Sequence, residues 1–392
     1  MTRHAALWLV LAVLAAQPAV AEDYHREDLR IAMPAAGPRG LEALLIRPAG
    51  TQAYPLALIS HGTATDAVQR RDLTPYRFYQ QAVAFARRGF AALVVMRRGY
   101  GDSGGTYAEG TGCCATASIL RAERMAADDL RAAVVAMEHR PDVSSHGMIA
   151  VGVSTGGLAT VALTTNPPPG LAAAISFAGG IRRDNASDAK KTADQAGLVD
   201  AFRTLGATSH APMLWVYAAN DSYFSPELAG QAFDAFSAAG GRAQLIEAPA
   251  FGNDGHDLFH GGVTVWQPMV DAFLHQQNLG GSKPLAAPLL PDLPVPPQFG
   301  SRGRAAFSEY MAEGQHKAFA VSPKNFYGYS AGRRSVEDAK QRALSKCGKL
   351  APDCALYAVD DQLSGPATAA TEPVRPDVPA SPPPDRRDRR SP

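Results

Sequence analysis

The stretch HGMIAVGVSTGGLATVALTT, His146 to Thr165, decides the fold. It opens with a short apolar run, Met148–Val153, of the length expected for a buried strand. It then turns through Gly152-Val153-Ser154-Thr155-Gly156 and continues as a helical pattern, Gly156–Thr164. A strand that passes through a glycine-flanked serine straight into a helix is a sharp turn, and the small neighbours let its backbone pack closely. Such a turn points the serine hydroxyl out of a sheet and sets the Thr155 N–H at a helix start, where it can donate to an anion. Taken alone, the motif also suits a turn with no chemistry, or one that binds a phosphate.

Working outward, further apolar runs mark strands at Glu42–Arg47, Leu56–Ser60, Ala91–Met96, Ala172–Phe177, Met213–Ala218 and Ala243–Glu247. Helical patterns lie between them: Tyr76–Arg88 behind Pro75, Ser118–His139, Ala193–Leu205, Pro226–Ala239 and Val263–Gln276. Buried strands alternating with helices predict an α/β chain with a mostly parallel, doubly wound sheet. Ligands of such sheets sit outside the carboxyl ends of the strands.

The pattern G-x-S-x-G occurs twice more, as GDSGG at Gly101–Gly105 and GYSAG at Gly328–Gly332. Ser103 is followed by Gly104, Gly105, Thr106 and Tyr107, which favour a loop over a helix. MRRGYGDSGG therefore reads as a tight turn after a strand. Ser330 has no histidine after it, since the last one is His316. It sits in a small module, where GYSAG reads as a turn before the helix Val336–Lys346. Ser154 is thus the candidate nucleophile.

A serine hydroxyl needs a base, and the base needs an orienting group. In the chain order Ser…Asp…His, Asp221 lies just past the strand Met213–Ala218, and His256 lies in the loop AFGNDGHDLFHGG after the next strand. Each therefore reaches the same rim. Asp254 and Asp257 are rival acids, and His260 is a rival base. An Asp after a strand is also a common turn residue. A second oxyanion donor is expected after the strand LALISHGTA, from the N–H of Thr63, with Gly62 permitting close approach. His61 reads as a residue that holds this loop by hydrogen bonds.

LISHGTA, VVMRRGYGDSGG, IAVGVSTGG, YAANDSYFSP and GNDGHDLF occur here in the order seen in the α/β-hydrolase superfamily. Over about Ala43 to Gln276 the chain resembles the dienelactone hydrolase and prolyl oligopeptidase-like branches. The resemblance implies a Ser154–His256–Asp221 triad. It also matches GDSGG to the family's glycine-rich turn. Dienelactone hydrolase itself uses a cysteine nucleophile. Ser154 stands in that place here, so its substrate is not implied. The implied function is a serine hydrolase, a carboxylesterase acting on a small-molecule ester. It needs no metal or organic cofactor. The alternatives are a serine peptidase of the prolyl oligopeptidase-like type, or a non-catalytic envelope-binding protein on a hydrolase scaffold. The segment between Gly180 and Pro212, with one helix, has room only for a small lid.

The remainder of the 392 residues bounds this reading. An apolar fraction of 46% allows a proper core, and a formal net charge of +1 advertises no nucleic-acid face. Arg3, the apolar run Ala5–Ala16 and Ala19-Val20-Ala21 have the layout of a secretory signal peptide over residues 1–21. The expectation is a periplasmic or secreted protein with no integral membrane span in its mature form. Of the four cysteines, Cys347 and Cys354 are the better pair, whereas a bond between the adjacent Cys113 and Cys114 would close a strained ring. No histidine stands at zinc-ligand spacing from them. Proline-rich residues 280–300 read as a linker and 365–392 as a disordered tail. They bound a main domain at 24–279 and a small α+β module at 307–362, which offers contact with the cell envelope. Its aromatics Phe319, Phe326, Tyr327 and Tyr329 suit either a binding face or a small core.

Overall fold

The structure of the protein is a computed structural model that describes residues 24–64, 66–110, 115–181, 188–281 and 293–364, without the side chains of 188–194. The leader expected at 1–21, Cys113 and Cys114, most of the expected linker and the expected tail at 365–392 lie outside the described residues.

Eight strands make the main sheet: β1 Tyr24–Ile31, β2 Leu41–Pro48, β3 Tyr54–Ser60, β4 Ala91–Val95, β5 Val143–Val153, β6 Leu171–Phe177, β7 Met213–Ala218 and β8 Ala243–Ala248. Their spatial order is β1-β2-β4-β3-β5-β6-β7-β8. β3 to β8 run parallel, and β2 joins β4 and β1 antiparallel. This is the mostly parallel, doubly wound sheet expected from the alternation. Residues of β4 and β7 are buried on both faces, as unbroken apolar runs require when helices cover both sides. Two large apolar clusters form, one on each face. β1 has no such signature. Its polar sequence YHREDLRI lies largely exposed at the sheet edge, so burial never shaped its pattern.

The helices are α1 Ala67–Asp72, α2 Tyr79–Ala86, α3 Thr116–Glu138, α4 Thr155–Leu163, α5 Asp188–Gly206, α6 Pro226–Ala238, α7 Leu258–Gly261 and α8 Val263–Gln276. α1 is too polar to show a periodicity. It buries no residue and is held by Asp66, whose carboxylate accepts from the Val68 and Gln69 N–H groups. Of the segment expected to form a small lid, residues 182–187 lie outside the described residues, and the C-terminal half of α5 packs on the sheet. Leu198, Ala201, Phe202 and Leu205 enter the core, and Phe202 packs on Trp215 of β7 with ring centroids 4.8 Å apart. The helix is thus a flanking layer of the sheet. Among the described residues no helix is long and apolar enough to cross a membrane.

The C-terminal module is a second, antiparallel sheet of β9 Ala318–Val321, β10 Tyr327–Ser330, β11 Ala355–Val359 and β12 Gln362–Leu363, in the order β10-β9-β11-β12. α9 (Ser301–Ala312) covers one face and α10 (Val336–Gly348) the other. The module begins before residue 307. α9 starts at Ser301, and Leu293, Val295 and Phe299 pack on its aromatic cluster, so the end of the proline-rich stretch is part of the module. Phe319, Tyr327 and Tyr329 form that core, with Phe319 stacked on Tyr329 at 5.9 Å, while Phe326 is exposed. Ser330 is a buried strand residue, so GYSAG ends β10 rather than forming a turn throughout. Cys347 and Cys354 are joined by a disulfide across the end of α10.

Candidate active site

At Ser154 the backbone adopts φ 57° and ψ −125°, a strained conformation for a residue with a side chain. Its surroundings hold it there. The Ser154 N–H donates to Phe177 O at 2.9 Å, and its carbonyl accepts from Leu158 and Gly180 N–H. Gly152 and Gly156 are obligatory. A Cβ at Gly152 would collide with the Gly156 carbonyl, and one at Gly156 with the carbonyls of Ser60 and His61. β3 and β5 thus pack tightly enough to bring the loop after β3 beside the turn after β5. A Cβ on Gly62 would lie 3.0 Å from that of Ser154. Strand order diverges at β3, where β4 leaves to one side and β5 to the other, and a crevice opens at such a switch point.

Asp221 and His256 meet at the same rim. Asp221 follows β7 and is buried; its Oδ1 accepts from the Tyr223 and Phe224 N–H groups, both at 2.8 Å. Its Oδ2 lies 3.1 Å from His256 Nδ1, so that nitrogen donates and Nε2 is left free to accept a proton. Tyr223 stacks on the imidazole at 4.4 Å. Gly255 supports this approach, because a side chain there would strike Ala218 and Asn220. Asp254, a rival acid, is occupied as a turn residue. It accepts from the Ser222 hydroxyl and from the Ser222 and His256 N–H groups.

Ser154 and His256 line one pocket with a volume of about 330 Å³, together with Gly62, Thr63, Asp72, Leu73, Arg77 and Phe78. No direct hydrogen bond joins the Ser154 hydroxyl to His256. His260 and Asp257 also line the pocket. His260 is open to it yet packed by protein elsewhere; that packing, and then the Arg77 charge, hold its imidazole below the usual range. No described residue of α5 reaches the pocket.

Thr63 and Thr155 are tied together by their hydroxyls at 2.7 Å, which sets the two peptide segments on either side of Ser154. Behind them lies a polar network that the sequence reading did not identify. The Thr63 hydroxyl bonds Tyr100 OH at 2.8 Å, and Tyr100 OH donates to Glu109 at 2.9 Å. Glu109 in turn holds the fully buried Arg97 through two bonds. Arg97 donates to the Ser60 hydroxyl and to His61 O, fixing the end of β3. Burial, joined by the Glu109 charge, pushes Glu123 and Tyr100 well above their ordinary ranges. The Arg97 guanidinium and the Glu109 carboxylate form the buried ion pair of this network. Glu109 lies twelve residues beyond Arg97 on an irregular loop, where no periodicity marks it.

His61 is a structural residue of this loop. It is buried, accepts from the Arg97 N–H at Nε2 (3.0 Å) and donates from Nδ1 to Gly62 O (2.7 Å). Burial and then the neighbouring Arg97 charge hold it neutral. Ser103 is also structural: its hydroxyl donates to Met96 O at 2.6 Å and accepts from Glu42 N–H at 2.8 Å. Gly104 and Gly105 press on the Ala35 and Ala36 carbonyls, so GDSGG is the close-packed turn expected. Among the described residues no group of three His, Cys, Asp or Glu is placed to hold a metal ion.

Residues 37–200 match the family model for X-Pro dipeptidyl-peptidase (S15 family), a span that contains Ser154 and stops short of Asp221 and His256. No curated protein matches the chain. Among solved structures, the chain is similar to an esterase of Pyrococcus furiosus, with 14% identity and a TM-score of 0.45, over 64% of this chain and 90% of that one. It is also similar to an acylaminoacyl peptidase of Pyrococcus horikoshii, with 14% identity and a TM-score of 0.44, over 68% of this chain and 43% of the peptidase.

Proposed function

The chain has the α/β-hydrolase fold, and from that premise we propose that it is an exported serine hydrolase acting on small carboxylic esters. One observation carries the reading. The strained serine turn after β5 and the Asp221-bound imidazole of His256 face one pocket. In this mechanism Ser154 Oγ attacks the ester carbonyl carbon while His256 Nε2 takes its proton. The Asp221 carboxylate keeps Nδ1 protonated and stabilises the imidazolium. The N–H groups of Thr63 and Thr155 receive the tetrahedral oxyanion. The proton then passes to the alkoxide as the C–O bond breaks, and water releases the acyl group by the same steps.

The pocket volume of about 330 Å³ suits a short acyl or aryl ester. Export is supported by the leader-like residues 1–21 and by the Cys347–Cys354 disulfide, a bond that persists in oxidising compartments. Envelope contact through the C-terminal module would show as co-fractionation with membranes.

The match to an X-Pro dipeptidyl-peptidase model favours a second reading, a peptidase. An aminopeptidase needs a free carboxylate for the substrate amine. Asp72 in the pocket is held by Arg333 and Arg342, which leaves Asp257 as the other carboxylate there. A fluorophosphonate probe followed by matched 4-nitrophenyl esters and X-Pro 4-nitroanilides separates the possibilities. The expected result is covalent labelling and turnover of esters well above anilides. Preferred anilide turnover would make the protein a peptidase, and folded protein that takes no label would make it a binder.

A further inference from the structure

The third G-x-S-x-G segment is not a nucleophile site, but the two residues that follow it, Arg333 and Arg334, reach back to the active-site pocket. Arg333 is buried and donates to Asp72 Oδ1 at 2.7 Å. Arg342 of α10 donates to the same carboxylate, and Asp338 bridges the two guanidinium groups. Arg334 donates to Leu73 O at 2.7 Å and to both carboxylate oxygens of Glu42 in β2. The Thr74 hydroxyl donates to Gly332 O at 2.6 Å within a buried contact. Gly332, at φ 63°, leaves room for Arg77 against its backbone, and His316 packs on the Tyr76 ring at 4.4 Å. Asp72, Leu73, Thr74 and Tyr76 are thus engaged by the module.

Asp72, Leu73, Arg77 and Phe78 form one wall of the pocket that holds Ser154 and His256. α1, which leads into this wall, buries none of its own residues; its ties to the main domain include the Gly101 N–H donating to Arg70 O at 2.8 Å and the Arg70 guanidinium over the Tyr107 ring at 4.1 Å. We propose that the C-terminal module is a working part of the active site: Arg333 and Arg342, as positioning residues, grip Asp72 and set the wall that selects which ester groups enter. The substrate half of this inference rests on the hydrolase reading above; the structural half does not. The described side chains of α5 line no part of the pocket, and this module-braced wall shapes its entrance.

The test uses the full chain with the double variant Arg333→Ala/Arg342→Ala and, separately, the near-isosteric Asp72→Asn. Hydrogen exchange of peptides covering 66–78 is expected to quicken by roughly tenfold in both variants, with exchange in β5 to β7 unchanged. The ratio of kcat/KM for 4-nitrophenyl octanoate over acetate is expected to shift by about tenfold or more, carried by KM. Unchanged exchange in 66–78 overturns the clamp. Quickened exchange with an unaltered ester ratio overturns its role in selection. If the double variant does not fold, Asp72→Asn gives the same two readouts. If the wild type takes no fluorophosphonate and cleaves no ester, the hydrolase reading falls, and exchange alone judges the clamp.

Discussion

At the scale of single residues, three serines share one pattern and their surroundings assign them different work. Ser154 alone joins a strained backbone to an open pocket. Ser154→Ala is expected to abolish fluorophosphonate labelling and lower kcat by roughly 10⁴-fold or more. Asp221→Asn should act through tautomer choice. The Tyr223 and Phe224 N–H groups will claim the amide oxygen, leaving its NH₂ against His256 Nδ1 and forcing the proton to Nε2. A fall in kcat of roughly 10⁴-fold follows, with KM little changed, in steady-state ester kinetics. Ser103→Ala is the contrasting case. It strands the buried Glu42 N–H and should cost about 1–3 kcal/mol in denaturant unfolding while labelling persists. Loss of labelling in a folded Ser103→Ala protein would contradict the assignment.

At the scale of elements, the turn between β5 and α4 works only because β3 can approach it. That approach depends on Gly156, whose missing Cβ makes room for the carbonyls of Ser60 and His61. Gly156→Ala is expected to destabilise the fold by about 3 kcal/mol, read as a lowered unfolding midpoint, and to reduce labelling of the remaining folded protein. The loop after β3 has its own support in Arg97, Glu109 and Tyr100. Those residues were visible in the sequence but their partnership was not. Arg97 and Tyr100 belong to a stretch read for its glycines, and Glu109 follows with no spacing rule to link them. The strands β2 to β7 were legible because burial writes apolar runs along them, whereas the edge strand β8 is only partly buried. β1 and α1 were not, since both lie on the surface and are chosen by their contacts rather than by pattern.

At the scale of the whole molecule, charged pairs join distant parts of the chain. Asp142, ahead of β5, accepts from Arg140 and from Arg47 of β2. Hydrogen bonds from Arg140 above all hold its carboxyl down to about 2 in the folded state. A carboxyl depressed by folding stabilises fully above its unfolded range, and the contribution is lost as pH falls through the folded value. The melting temperature of Asp142→Asn should therefore lie below the wild type at neutral pH, with the gap closing between about pH 4 and pH 2. A gap that persists at pH 2 would assign the effect to packing. The same scale holds the module on the main domain through Glu42 and Asp72, contacts separated by more than 250 residues in the chain.

The sequence by itself determined the alternating α/β architecture, the serine turn, and the chain order of the serine, acid and histidine. These are local matters: burial writes periodicity, and a tight turn demands glycine. Tertiary structure alone decided that Asp221 bonds His256, that Asp254 serves a turn, that α5 belongs to a sheet layer, and that the C-terminal module braces a wall of the pocket. Those outcomes depend on which distant side chains share a point in space, and no spacing along the chain encodes a distance across it.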